Sequence, residues 1–289
     1  MVSAPGKVVL LGDYAVLDGG VAMVAAVGRR AEGAIVPRST SPEGVVKAVL
    51  DRVPHPAFDL ARESIEIDTT SFHDERGQKL GIGSSAAVAT VAAALTLGRG
   101  GPDALSLATD AHRLATGGGS GVDVAASFYG GIIAAPRQPA RVRSLPLALS
   151  GLHPFTLFAG KSASTARMVE ACLASPRWPT HARELSRLSD EGIEAWSRQD
   201  ASSFLAVVAG YGEAMDALGR DAGVEVVTQP IRSVMRLARD SGAAAKPSGA
   251  GGGDVIIGFS FDPDLGRRLA AQTGLLFVDL EIDPVGLRL

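Results

Sequence analysis

Four of the five lysines of this 289-residue chain lie in or beside glycine- and serine-rich segments. They are Lys7 in SAPGKVVLLGDY, Lys79 ahead of LGIGSSAAV, Lys161 in AGKSAST and Lys246 in KPSGAGGGD. Arginine supplies the other 23 of the 28 basic residues, so lysine is kept where a compact, mobile ammonium suits a phosphate. Glycine turns provide the second half of a phosphate site, because bare backbone N–H groups approach the oxygens closely. The chemistry indicated is the handling of phosphoryl groups.

In LGIGSSAAV, Gly81, Gly83 and Ala86 fit G-x-G-x-x-A. A dinucleotide fold would need a hydrophobic strand just before the first glycine, and the preceding HDERGQK is polar. What remains is a glycine turn into a helix N-terminus, an anion site by virtue of its N–H groups and dipole. The Ser84 and Ser85 hydroxyls can contact phosphate or a magnesium ion. A simple capped buried helix explains the serines but not two glycines before them. No Walker A loop is present: Gly160-Lys161-Ser162 imitates its end, but Phe155 stands where that pattern needs glycine. KPSGAGGGD, from Lys246 to Asp254, is a second nest-forming segment running directly into an apolar strand. A flexible linker is its alternative reading. Asp123, in GGGSGVDVAAS, emerges from a glycine loop into small apolar residues, where an acid is either a helix cap or a catalytic group.

The elements that carry these segments follow from the apolar pattern. KVVLL at 7–11 reads as a buried strand ending at Gly12 and Asp13, with further strands at 21–27, 34–36 and 64–68 and a helix at 42–53. Ser84 is the expected N-cap of an alanine-rich helix over 85–97, and a second helix runs from Pro102 to about Thr116 with Leu105, Ala108, His112 and Ala115 on one face. The stretch 124–134 is apolar and glycine-punctuated. Prolines and arginines cluster at 136–154, a plausible boundary. Beyond it come a strand at 155–159, two or three amphipathic helices bearing Leu185, Leu188 and Trp196, then Phe204, Val208 and Tyr211, then Ile231 and Val234, a strand at 254–259, a helix at 262–273 and a strand at 275–282. The second half is an open α+β sandwich.

Composition bounds the function. The chain can bury a core and is long enough for two domains. A net charge of −3 gives no basic field for nucleic acid. The longest apolar stretch, 86–97, is too short to span a bilayer, and no signal peptide is evident, so a cytoplasmic protein with no membrane partner is expected. The single cysteine, Cys172, reads as a small core hydrophobe.

Together, APGKVVLLGDYAVL, KLGIGSSAAVATVAAAL and KPSGAGGGD resemble, in order and spacing across nearly the whole chain, the three motifs of the GHMP kinase superfamily, which includes galactokinase, homoserine kinase, mevalonate kinase and phosphomevalonate kinase. The likeness is strongest to phosphomevalonate kinases, through AHRLATGGGSGVDVAASFYGG, GKSASTARMV, the lysine opening the third motif and the pair Asp13-Tyr14, where mevalonate kinases usually have Glu-His. Homoserine kinases lack the acid that stands here at Asp123. The resemblance implies an α+β two-domain GHMP kinase fold: an α/β ATP-binding domain at 1–150, a ferredoxin-like α+β sandwich at 151–289, and an active site in the cleft between them. It implies ATP and magnesium (Mg2+) as cofactors, Lys7 and Asp123 as the catalytic pair, and Gly81, Gly83, Ser84, Ser85 and Ala86 around the ATP phosphates, with Ser85 as magnesium ligand. Asp13, Tyr14, Ser120, Lys161, Ser164, Lys246, Ser248 and Gly249 become the candidate acceptor-binding residues. Mevalonate kinases supply a second metal ligand from a glutamate eleven residues before the catalytic aspartate. That position is His112 here, expected to be a helix-surface or packing residue because magnesium prefers oxygen.

The expected reaction is phosphorylation of 5-phosphomevalonate, with mevalonate or another small-molecule hydroxyl as the alternative. A phosphate monoester, with its second pKa of about 6, is mostly dianionic at neutral pH and asks for cations on the acceptor side. Lys161 and Lys246 suit that role, or are solvated surface residues. Lys79 faces either the ATP phosphates or solvent. The partner is a small phosphorylated acceptor, the assembly a monomer or homodimer. A metabolite-sensing binding protein is the rival class, and retention of both Lys7 and Asp123 argues against it.

Overall fold

The computed structural model describes residues 1–38, 41–137, 141–160, 165–253 and 255–289. The chain divides into two compact units, neither of them continuous in sequence. The first comprises Met1–Lys7, Val24–Val142 and Glu281–Leu289, and the second Val8–Met23 and Arg143–Leu280.

The first unit contains residues 2–7 of the strand β1 (Val2–Leu11) and residues 24–37 of its partner strand β2 (Val21–Pro37), which is flanked on its other side by β4 (Ile132–Pro136). The later part of β2 pairs antiparallel with β3 (Glu63–Asp68), Glu32 opposite Asp68 and Pro37 opposite Glu63. Where two separate strands are expected at 21–27 and 34–36, β2 is one continuous strand of 17 residues. Between the two expected strands, the polar Arg30 is satisfied in place. The Arg30 guanidinium donates to the carbonyls of Ser3, Val285 and Gly286 and to the Asp283 carboxylate.

Three helices form the core of this unit: α1 (Gly44–Leu50), α2 (Ser84–Leu97) and α3 (Pro102–Thr116). Their shared interface is built largely of alanine, with Ala86, Ala89, Ala92, Ala93, Ala104, Ala108 and Ala111 all buried. Small side chains let the helices approach closely, and α2 is covered on nearly every side, as its composition predicts. The apolar run 124–134 resolves into α4 (Val122–Tyr129) and then β4. The break falls at Gly130 and Gly131, both at positive φ (75° and 63°). A Cβ on Gly130 would lie 2.3 Å from the Gly286 backbone nitrogen, so only glycine fits that turn.

The second unit holds the short β5 (Arg143–Leu145) and an antiparallel sheet ordered β7-β8-β6-β9: β7 (Ala244–Ser248), β8 (Val255–Ser260), β6 (His153–Phe158) and β9 (Leu276–Phe277). Its helices are α5 (Thr165–Ala174), α6 (Trp178–Ser197), α7 (Ala201–Ala222), α8 (Gln229–Asp240) and α9 (Leu265–Thr273). Trp196, Phe204 and Phe259 meet edge to face, with ring centroids 4.9–6.2 Å apart, each pair worth about 0.5–1.5 kcal/mol beyond its buried area. The expected strand at 275–282 is reduced to two residues. Beyond Val278, whose N–H still donates to Thr156, the chain leaves the sheet, and Ile282 pairs instead with Val27 of the first unit's own strand β2. Among the described residues no helix is long and apolar enough to cross a membrane.

Candidate active site

Lys7 sits on β1 with its side chain 12% exposed, and its ammonium lies 3.4 Å from the Asp123 carboxylate. The Lys7 backbone N–H donates to the Ile82 carbonyl at 2.8 Å, which ties the strand to the turn Gly81-Ile82-Gly83. Gly81 and Gly83 both adopt positive φ (70° and 85°). A Cβ on Gly83 would lie 2.8 Å from Lys7 Cγ and 3.2 Å from the Lys7 backbone nitrogen. The second glycine is therefore required by the close approach of the lysine as well as by the turn.

Helix α2 begins at Ser84, one residue earlier than expected, and Gly83 rather than Ser84 occupies the N-cap position, with no side-chain cap. The Gly83 carbonyl accepts from the N–H groups of Ala86 and Ala87. Ser84 is buried, whereas Ser85 is half-buried and its hydroxyl lies 3.1 Å from His112 Nε2. His112 is only 6% exposed. Of the two roles expected of it, surface or packing, burial matches the second, and its ring is in addition a polar member of this cluster. Burial holds its pKa below the ordinary histidine value, opposed by the Asp123 carboxylate and reinforced by Lys7 and Arg113, so the imidazole is neutral. The signal was a titratable side chain on an otherwise apolar helix face.

Asp123 lies in the first turn of α4, whose N-cap is Gly121 at φ 85°. It is thus not the cap of its own helix. Burial raises the pKa of its carboxyl, but Lys7, His112 and a backbone hydrogen bond outweigh that and leave it below the usual carboxylate range. Asp123 is ionised and paired at neutral pH. Ser120 is buried, its carbonyl accepting from Arg113 and its hydroxyl lying 3.5 Å from the Val122 N–H. Lys79 is exposed.

The first unit also contains a cavity of about 940 Å³. It is lined in part by Glu32, Glu66, Asp68, Thr69, Thr70 and His73, and not by Lys7, Ser85 or Asp123.

A second polar cluster, wholly within the second unit, surrounds Asp13. Gly12, at φ 91°, turns the chain out of β1 and delivers a carboxylate whose side chain is 0% exposed. Its Oδ2 lies 2.5 Å from the Lys246 ammonium, and its Oδ1 accepts from the Gly249 N–H at 2.5 Å. Lys246 is itself 0% exposed. It also donates to the Pro247 carbonyl at 2.5 Å and stands 5.5 Å above the Tyr211 ring. Neither sequence-based alternative for Lys246, acceptor phosphate or solvated surface, matches this arrangement.

The loop after β7 is pinned along its length. The Ser248 hydroxyl accepts from the Val9 N–H, the Ala250 carbonyl accepts from the Tyr14 hydroxyl at 2.7 Å, and the Gly252 N–H donates to Val226. Tyr14 holds this contact from a left-handed backbone, φ 62°. Burial, with Cys172 and Asp13 beside it, raises its pKa far above the ordinary phenol value. Tyr211 donates to the Asp13 carbonyl at 2.7 Å, and burial, with Asp13 nearby, likewise raises its pKa. Its place on the apolar stripe of α7 concealed this role, although a buried tyrosine hydroxyl needs a partner. Cys172 is buried, as expected. Lys161 and Ser164 lie outside the described residues, as does Asp254.

Among the described residues no group of three or more His, Cys, Asp or Glu is placed to hold a metal ion. Beside the glycine turn the Ser85 hydroxyl, half-buried, is one oxygen that a metal could use. A single hydroxyl suits magnesium carried in on nucleotide phosphates, the usual mode for this ion, and not an all-protein cage.

Three comparisons bear on this arrangement. The family model described as "GHMP kinases C terminal" matches residues 208–273, which include the pinned glycine loop. The chain is 29% identical to the mevalonate kinase of Aeropyrum pernix, over 92% of this chain and 90% of that protein. It is 27% identical to the phosphomevalonate kinase of Saccharolobus solfataricus, over 100% of this chain and 98% of that protein. In fold it is similar to Streptococcus pneumoniae phosphomevalonate kinase in complex with phosphomevalonate and AMPPNP, with a TM-score of 0.82 at 19% identity, covering 98% of this chain and 99% of that one. The chain therefore carries a GHMP kinase C-terminal domain, and its fold is that of the GHMP kinases.

Proposed function

We propose that this protein is an ATP-dependent small-molecule kinase of the mevalonate route, and that its acceptor is 5-phosphomevalonate. The observation that carries the kinase reading is the Lys7–Asp123 pair, 3.4 Å apart, tied through the Lys7 backbone to the glycine turn that opens α2. Phosphoryl transfer is accelerated mainly by positioning and by neutralising charge on the transferred group. In this reading the N–H groups at the start of α2 receive the nucleotide phosphates. The Lys7 ammonium meets the charge that develops on the transferred phosphoryl, and Asp123 holds the lysine in place. Ser85 offers its hydroxyl to magnesium, which when bound screens the phosphate oxygens. The cavity lined by Asp68, Thr69 and Thr70 is the proposed neighbourhood of the adenine. On the acceptor side the proposal retains Tyr14, Ser120, Lys161 and Ser164.

A second reading, mevalonate as acceptor, is favoured by one observation. Lys246 is fully buried against Asp13, which takes one expected cation away from an acceptor phosphate. An alcohol acceptor must lose a proton, and Asp123, ionised beside Lys7, would then be its base. A coupled ADP-release assay comparing mevalonate with 5-phosphomevalonate tests both readings. Preference for 5-phosphomevalonate supports the first and preference for mevalonate the second, while no turnover with either removes the assignment to this route.

A further inference from the structure

The third glycine-rich segment has the ingredients of a phosphate nest: a lysine, a serine hydroxyl and successive backbone N–H groups. In this structure an anion of the chain's own meets two of them. Asp13 Oδ2 lies 2.5 Å from the Lys246 ammonium and Asp13 Oδ1 accepts from Gly249 N–H at 2.5 Å, while the Ser248 hydroxyl is engaged by Val9. Both side chains of the ion pair are 0% exposed. The Pro247 carbonyl and the Tyr211 ring also face the ammonium. Removing one partner of so enclosed an ion pair is costly, because both groups have left water behind.

We propose that Asp13 is a resident anion for the glycine loop 248–253. Its carboxylate stands in for a bound phosphate, keeps the loop formed before any ligand arrives, and closes the Lys246–Gly249 end of the loop to phosphate. Asp13 is then a positioning residue for the loop, and Lys246 is its counterion rather than a ligand of substrate. A tyrosine completes the device on each side. Tyr211 fixes the Asp13 backbone through its carbonyl, and Tyr14 holds the Ala250 carbonyl, so the Asp13-Tyr14 pair is tied to the loop at both Gly249 and Ala250.

Chemical rescue in hydrogen exchange tests this without ATP or an acceptor, so the result is independent of the kinase reading. Asp13→Ala leaves a carboxylate-sized gap beside the ammonium. Amide exchange across 248–253 is expected to rise by roughly a hundredfold to a few thousandfold, the factor that corresponds to losing one partner of a buried pair. Formate, a small carboxylate, is expected to return about tenfold of that protection at ten times its dissociation constant. It should do so in Asp13→Ala but not in the Asp13→Ala/Lys246→Met double variant, where the cation is gone. In the wild type, inorganic phosphate at 10 mM should leave exchange of the loop unchanged. Unchanged exchange in Asp13→Ala, protection by formate in both variants or in neither, or protection of the wild-type loop by inorganic phosphate would each overturn the proposal. If Asp13→Ala does not fold in chloride buffer, its refolding yield in formate is the readout. A formate-dependent yield supports the proposal, and a yield indifferent to formate contradicts it. The isosteric Asp13→Asn variant fills the gap and should show raised exchange that formate does not correct; correction by formate there counts against a resident-anion site.

Discussion

Gly83→Ala separates two demands that the second glycine of the LGIGSS turn meets. The first is conformational. At φ 85° an alanine pays the left-handed penalty of about 1–2 kcal/mol. The second is spatial. The new methyl would lie 2.8 Å from Lys7 Cγ, and ordinary contact begins near 3.4 Å, so that atom must recede by about 0.6 Å. The Lys7 backbone cannot give way instead, because its nitrogen is 3.2 Å from the same methyl position and its N–H is committed to Ile82. The strain therefore passes along the side chain to an ammonium whose partner, Asp123, is already 3.4 Å away. Misplacement of a reacting group by roughly 1 Å costs about a hundredfold in rate, and that is the expected fall in turnover. Gly77→Ala is the control: it has φ 77° but meets nothing within 4 Å of its added Cβ. It should lose the same 1–2 kcal/mol in scanning calorimetry and keep its turnover. Equal turnover in the two variants, or unaltered turnover in Gly83→Ala, would refute the argument that the glycine serves the lysine.

Lys7→Met and Asp123→Asn should each reduce turnover by about 10²–10⁴-fold with circular dichroism unchanged; wild-type turnover in either variant would remove that residue from the catalytic role. In urea unfolding followed by the fluorescence of Trp178 and Trp196, Asp13→Asn and Lys246→Met should each cost about 3–5 kcal/mol, and the double variant far less than their sum. Additive losses would mean that the pair is not coupled. Tyr14 and Tyr211 have pKa values raised above the ordinary 10.0, so the stability they protect is complete below pH 10 and is lost as pH climbs toward their folded values. The loss should be about 1.4 kcal/mol per pH unit for each tyrosine. Tyr211→Phe should halve that alkaline slope, and an unchanged slope would show that Tyr211 does not titrate in unfolding.

The parts of the site legible in the sequence are those that local rules specify. The glycine turn, the alanine-rich helix it opens and the placing of Lys7 on a buried strand all follow from residues within a few positions of one another. The resemblance in motif order supplied the expectation that Lys7 and Asp123 belong together, and the structure brings them to 3.4 Å. What was not legible depends on partners far along the chain. Lys246 reads as a phosphate ligand because its own segment looks like a nest, and only the carboxylate 233 positions away changes that meaning. His112 and Tyr211 each sat on an apolar helix face, where periodicity records burial but not what a polar tip touches. The continuity of β2 was hidden for a related reason, since Arg30 is tolerated there by carbonyls of Ser3, Val285 and Gly286 that no local pattern reveals.

The separation of Asp13 from Lys246 also sets a clock on biosynthesis. At about 5–20 residues per second, the 233 positions between them take on the order of 10–50 s to emerge from a ribosome. For most of that interval the segment Val8–Met23 exists while most of the unit to which it belongs, Arg143–Leu280, is still being synthesised. The first unit waits as well, because it is completed only by Glu281–Leu289. The nascent segment therefore holds an apolar strand without its final neighbours, an unpaired edge of the kind that favours aggregation. Codon choice that slows synthesis of Arg143–Leu280 should lower the soluble yield more than an equal delay ahead of Val8.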